Sequence, residues 1–204
     1  MRKMYLSAPL PFVGQKRMLA KEFMKVLEQY PDGTLFVDLF GGSGLLSHIT
    51  KSLKPHSTVI YNDFDNYRFR MKHIPQTNQL LADIREMVGN SVPRHKIIKG
   101  ELRERIFSRI EQEENSTGYV DFITLSSSIL FSMKYKLSVQ DMRKEALYNN
   151  IRKTGYPECT DYLEGLEIVS CDYKEVFNRY KDIPGVVFLV DPPYLSTDVG
   201  TYNR

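Results

Sequence analysis

The chain has 204 residues, of which 42% are hydrophobic and 12% aromatic, so it can bury one sizeable core and is too apolar for a disordered segment. Its net charge is +3, its two cysteines, Cys159 and Cys171, lack a CxxC spacing, and no apolar run approaches the length of a membrane span. A disulfide framework, a zinc site and a bilayer-crossing segment are not indicated, and a cytoplasmic protein with no membrane contact is the expectation. The N-terminus, MRKMYLSAPLPFVGQKR, starts basic but has no continuous apolar stretch, so it does not read as a signal peptide.

In chain order, Gln15–Gln29 carries Met18, Leu19, Phe23, Val26 and Leu27 at helical spacing, and Pro31-Asp32-Gly33 closes that helix with a turn. A first strand is predicted at Leu35–Leu39. It runs into VDLFGGSG at 37 to 44, an apolar run followed by an acid and glycines. Glycines after a strand let the backbone approach a ligand and open the next helix, here Leu45–Leu53. The spacing is neither GxGxxG nor a P-loop, and the same residues also suit a plain strand-to-helix turn. Asp38 at the strand end can fix loop amides or receive a cation from a ligand.

A second strand at Thr58–Tyr61 leads into VIYNDFDNY. An acid at this tip is where a Rossmann-like sheet holds ribose hydroxyls. Asp63, 19 residues beyond Gly44, fits the position better than Asp65. The interval that follows is mostly helical by pattern, with helices predicted at Thr77–Met87, Lys99–Glu114, Val120–Met133 and Ser138–Tyr148. It holds two basic clusters, residues 94–109 and 134–153, each of net charge +4, which leaves the rest of the chain at −5. Those clusters suit a polyanion or a pair of solvated helix faces.

A third strand, Leu166–Ser170, is followed by Asp172, which can meet a base edge or cap the helix predicted at Tyr173–Tyr180. The fourth, Val186–Val190, ends in Asp191-Pro192-Pro193-Tyr194. The prolines stop the ladder and fix the backbone. Asp191 and the carbonyl of Pro192 then offer two acceptors to one amino group, and Tyr194 offers a stacking face for a nucleobase. The expected fold class is α/β: a Rossmann-like parallel sheet with helices on both faces and a mostly helical insertion between strands two and three. The parts are 1–66, first half of the core; 67–160, insertion; and 161–204, second half of the core.

LPFVGQKR at 10 to 17, VDLFGGSG, the acid of YNDFD, and VFLVDPPY together resemble the Dam-type DNA adenine-N6 methyltransferases, over nearly the whole chain. The resemblance implies S-adenosyl-L-methionine as cofactor, held by Phe12, Gly14, Lys16, Asp38, Phe40, Gly41, Gly42, Gly44, Asp63, Asp172 and Asp191. It implies Asp191, Pro192, Pro193 and Tyr194 as the catalytic set, no metal, and double-stranded DNA as partner. The insertion would meet DNA through Arg94, Lys96, Lys99, Arg103, Arg105, Lys134, Lys136, Arg143, Arg152 and Lys153. In the family further strands follow DPPY, whereas this sequence stops at TYNR, so a further C-terminal segment or a complementing chain is expected. The same clamp also suits N4-cytosine, RNA-base or protein-amide methylation. A non-catalytic DNA-binding remnant is the reading of another class.

Overall fold

In the computed structural model, residues 3–14, 16–131 and 134–192 are described. They fall into two compact units, Met1–Met71 with Cys159–Arg204, and Lys72–Glu158.

The first unit is built on four parallel strands: β1 (Phe36–Asp38), β2 (Val59–Asn62), β5 (Glu167–Val169) and β6 (Val187–Leu189), in the order β5-β2-β1-β6. β1 lies inside the sheet, with Asp38 level with Tyr61 of β2 and Leu189 of β6. A parallel strand between two neighbours is covered on both faces and is apolar throughout. Successive side chains of β1 accordingly enter opposite cores. Phe36 packs with Ala20 and Leu27 of helix α1 (Ala20–Glu28), and with Leu45 and Ile49 of helix α2 (Leu45–Leu53). Val37 packs with Leu39, Ile60 and Val176 of helix α8 (Tyr173–Tyr180) on the other face. Full burial of each such side chain is worth about 1.5–3 kcal/mol. Helices thus cover both faces, as expected, and α2 and α8 match their predicted bounds.

The first helix differs from its expectation. A 3-10 turn, Arg17–Leu19, precedes α1, and the buried stripe runs through Ala20, Phe23, Met24 and Leu27. Met18, Leu19 and Val26, counted in the predicted apolar face, are exposed. The tighter turn rotates the first two away from the stripe that α1 buries. A short helix, α3 (Tyr67–Lys72), follows β2.

The second unit is mostly helical: α4 (Ile74–Val88), α5 (Gly100–Thr117), α6 (Phe122–Ile129) and α7 (Val139–Arg143). Two helices are shorter than predicted. α6 stops at Ile129 and not at 133, and α7 stops at Arg143 where 148 was expected. Leu147–Tyr148 forms a strand, β4, antiparallel to β3 (Ile97–Ile98). That pairing joins segments about fifty residues apart, so tertiary context overrides local helical spacing. No helix among the described residues is long and apolar enough to cross a membrane.

Candidate functional site

Because the four strands are parallel, their carboxyl ends lie along one edge of the sheet, which is where open α/β sheets bind ligands. The loop leaving β1 is shaped by its glycines. A Cβ on Gly41 would overlap the ring of Tyr61 and lie 2.7 Å from the carbonyl of Asn62, so no larger residue fits. Gly44, at φ +72, is the N-cap of α2, a left-handed position that glycine adopts without strain. Gly42 lies against the ring of Phe12, which also meets Tyr67 edge-to-face at 5.8 Å. Phe40 packs on Tyr173 with ring centroids 4.8 Å apart.

Asp38 ends β1 and is 1% exposed. Its Oδ2 accepts a 2.7 Å hydrogen bond from the Ser47 hydroxyl, and its Oδ1 has no hydrogen-bond partner among the described residues. Burial pushes its carboxyl up to about 7; the Ser47 bond and, contributing less, the Phe40 amide oppose this, and the charge of Asp191 adds to it. Asp191 follows β6 and is half-buried. Its Oδ2 lies 2.9 Å from the Lys16 ammonium, which also donates to the carbonyl of Gly14 at 3.1 Å. The structure therefore brings together four stretches distant in sequence: Phe12 to Lys16, the glycine loop, Asp38 and Asp191. Pro192 is exposed. Pro193 and Tyr194, the rest of the predicted catalytic set, lie outside the described residues.

Asp63 sits just beyond β2 and is 3% exposed. Its Oδ1 accepts from the Tyr67 amide at 2.6 Å and the Tyr61 hydroxyl at 3.0 Å, and its Oδ2 from the Arg68 amide at 3.0 Å. Burial raises its pKa and these donors oppose the rise. It therefore anchors the start of α3. Gripping a diol with both oxygens would require one donor to leave, and Tyr61 can do so, since its hydroxyl also reaches the Gly42 carbonyl at 2.8 Å. Asp65 is half-buried. Asp172 is exposed and caps α8 by accepting from the Lys174 amide at 2.7 Å, one of the two roles left open by the sequence.

Some residues of the site were missed. Asn62 donates to the carbonyls of Leu39 and Cys171 and accepts from the Cys171 amide, tying the ends of three strands. His48 takes the Tyr5 amide on Nε2, lies 2.7 Å from the Tyr162 carbonyl through Nδ1, and stacks on Tyr162 at 4.7 Å. An asparagine ending an apolar run was a usable signal for the first. Nothing local marks Ser47, Tyr61 or His48, which look like ordinary helix and strand residues.

In the second unit the expected DNA-facing cations divide into two groups. Arg103 and Arg143 both lie over the buried ring of Phe107, at 4.6 and 4.5 Å, and pair with Glu104; Arg143 also pairs with Glu111. These arginines hold the Glu104 carboxyl below its usual range. Lys134 and Lys136 pair with Glu145. Arg94 donates to the Ile151 carbonyl, and Arg152 covers the ring of Tyr156 at 4.2 Å. Lys96, Lys99, Arg105 and Lys153 are exposed and have no ion pair among the described residues. Lys96 and Lys99 flank β3. There Ile97 is 39% exposed opposite Tyr148, and Tyr148 in turn packs on Phe131, 60% exposed.

The model of the D12 class N6 adenine-specific DNA methyltransferase family matches residues 12–203. A Haemophilus influenzae protein named "Putative methyltransferase" is 39% identical over 207 residues, a match that takes in all of this chain and 69% of that protein. The match runs from Phe12 through the glycine loop and the second unit to Asp191, so it spans every element described above, and the chain belongs to the D12 class of N6 adenine-specific DNA methyltransferases.

Proposed function

We propose that this chain moves the methyl group of S-adenosyl-L-methionine to N6 of an adenine flipped out of double-stranded DNA, in the cytoplasm. The observation that carries the reading is the meeting of Lys16 with Asp191 beside the glycine loop, at the carboxyl ends of β1 and β6. The residues there suit such a cofactor. Gly41 leaves no room for a side chain, so the loop stays a bare backbone cradle, and Asp38 keeps one buried oxygen without a partner among the described residues, suited to a cationic ligand. When bound, the cofactor would supply an electrophilic methyl on a sulfonium.

The chain's own contribution would be to hold and orient. Lys16 fixes Oδ2 of Asp191, which leaves Oδ1 to accept from the target amino group. The Pro192 carbonyl would accept from the same group, and the two acceptors would hold the nitrogen lone pair toward the methyl. Tyr194 would stack on the base. A base inside a duplex cannot reach this edge, hence the flip. Asp63 would meet the ribose through Oδ2, with Tyr61 turning to Gly42 to clear Oδ1. Phosphate contacts would fall to the exposed cations Lys96, Lys99, Arg105 and Lys153. Incubation with tritiated S-adenosyl-L-methionine and duplex DNA, followed by nucleoside analysis, tests the reading. Label in N6-methyladenine is expected; label confined to cytosine, RNA or protein, or no label, refutes it.

A further inference from the structure

Resting on that reading, we infer that binding of the cationic methyl donor expels a proton from Asp38, which is a neutral carboxyl in the free protein and becomes the counter-charge of the bound group. The balance is one O–H bond broken at Asp38, one proton passed to buffer, and one carboxylate gained beside one added positive charge.

The charges around Asp38 single it out. Of the carboxyls at this edge, Asp191 already has the Lys16 ammonium at 2.9 Å, and Asp63 already has three donors from Tyr61, Tyr67 and Arg68. Asp172 is exposed to water and caps α8. Asp38 is fully buried with only the Ser47 hydroxyl of α2 and, contributing less, the Phe40 amide to hold it, and its Oδ1 makes no close hydrogen bond among the described residues. From β2 it faces Tyr61, and farther off Tyr162; burial holds both phenols well above their usual range, so neither supplies charge. From beyond β6 it faces Asp191, whose charge disfavours a second anion. A buried carboxyl with no cation protonates, since burial penalises the charged form. The carboxyl accordingly titrates at about 7.

A donor carrying a sulfonium and an ammonium reverses that balance. Its amino group is already protonated at pH 6.5, because α-amino groups titrate near 8. Any proton released at pH 6.5 therefore comes from the protein. Calorimetric titration of the protein with S-adenosyl-L-methionine at pH 6.5, in two buffers of different ionisation enthalpy, counts it. Most of one proton released per donor bound is expected at pH 6.5, falling as pH rises through 7. The dissociation constant should tighten about tenfold per unit as pH rises to about 6, the slope of one linked proton, and level off as pH passes 7. Asp38→Asn should bind more weakly and lose both effects, whereas Asp63→Asn should keep the released proton.

Equal heats in the two buffers at pH 6.5 would overturn the coupling, as would an Asp38→Asn protein that keeps the tenfold slope. The wild-type buffer series decides by itself if the Asp38→Asn protein does not fold. A wild type that binds no donor at any pH refutes the underlying reading; one that binds without releasing a proton refutes only the coupling.

Discussion

Along the edge of the parallel sheet, Asp38 is buried with only the Ser47 hydroxyl and the Phe40 amide to hold it, and Asp191 has one cation. In the helical unit the pattern is reversed. Arg103, Arg109, Arg143, Lys134 and Lys136 all have carboxylate partners, and two of the arginines also cover an aromatic ring. The comparison teaches that similar charged residues serve different ends according to what folding leaves them. In the helical unit ion pairs between α5, α7 and their neighbours hold helix to helix. At the sheet edge a carboxyl is buried with too few partners, a cost that a ligand can offset. A count of cations along the sequence therefore overstates the number left without a carboxylate partner, while the acids at strand ends mark where the parallel strands converge.

The largest effect that would break this comparison is at Asp191. Asp191→Ala should lower single-turnover methyl transfer about 10²–10³-fold, the usual cost of removing one preorganised polar group at a reacting centre. DNA affinity should change little, because phosphate contacts dominate it. A variant that methylates near the wild-type rate would remove Asp191 from the chemistry.

Asp38 sharpens the comparison through stability. Its folded pKa, about 7, lies above the ordinary value of 3.8, so the folded state holds the proton more tightly. That contribution is complete below pH 4 and is lost as pH rises from 4 through 7. It is worth on the order of 4 kcal/mol for a shift of about three units. Thermal unfolding of the wild type should therefore show stability draining away across that window, and Asp38→Asn should be flatter there. An unchanged pH profile in the variant would show that Asp38 is ionised at neutral pH.

The cations give the third test. Lys96→Glu with Lys99→Glu should flatten the dependence of log DNA affinity on log salt by about 0.9 for each phosphate that is no longer neutralised. Arg143→Ala should leave that slope unchanged but lower the unfolding temperature, since it strips Phe107 of a cover and leaves Glu104 and Glu111 short of a partner. The reverse outcome, a slope that follows Arg143 and ignores the lysines, would move the DNA-facing surface onto the α5–α7 face.

Much of the fold was legible because the strands of the sheet are short, largely apolar runs with an acid at, or within three residues after, each end, and because α2 and α8 are bounded by capping signals. Asp38, the glycines and Asp191 could be singled out for the same reason: a strand end is visible in sequence, and in a parallel sheet strand ends converge. What was not legible is pairing over distance. Lys16 and Asp191 are 175 positions apart, and nothing near either names the other. β3 and β4 have two residues each, too short for an alternation signal, so the segment ending in Leu147–Tyr148 read as helix. Asp63 was legible as an acid at a strand tip, but the Tyr67 and Arg68 amides it holds belong to a helix whose start the spacing did not mark.

The smallest effect concerns two helix caps of the same chemistry, one in each unit. Asp121 is 4% exposed, and its two oxygens accept from the amide and the hydroxyl of Thr124. Asp121→Ala should cost about 2–3 kcal/mol, because buried donors are left without partners. Asp172 is exposed and holds only the Lys174 amide, which water can satisfy in its place. Asp172→Ala should cost about 1 kcal/mol, the usual loss at an N-cap. Asp172→Ser should restore most of it, since a serine hydroxyl caps nearly as well. The serine variant also separates the two roles that the sequence left open. It keeps the cap and removes the carboxylate, so a cap alone predicts unchanged stability and unchanged S-adenosyl-L-methionine affinity in calorimetry. A base-edge contact predicts unchanged stability with affinity reduced about tenfold, the value of one charge-assisted hydrogen bond near 1.5 kcal/mol. Reduced affinity in Asp172→Ser would give Asp172 a place at the site in addition to its cap; affinity equal to the wild type would confine it to α8.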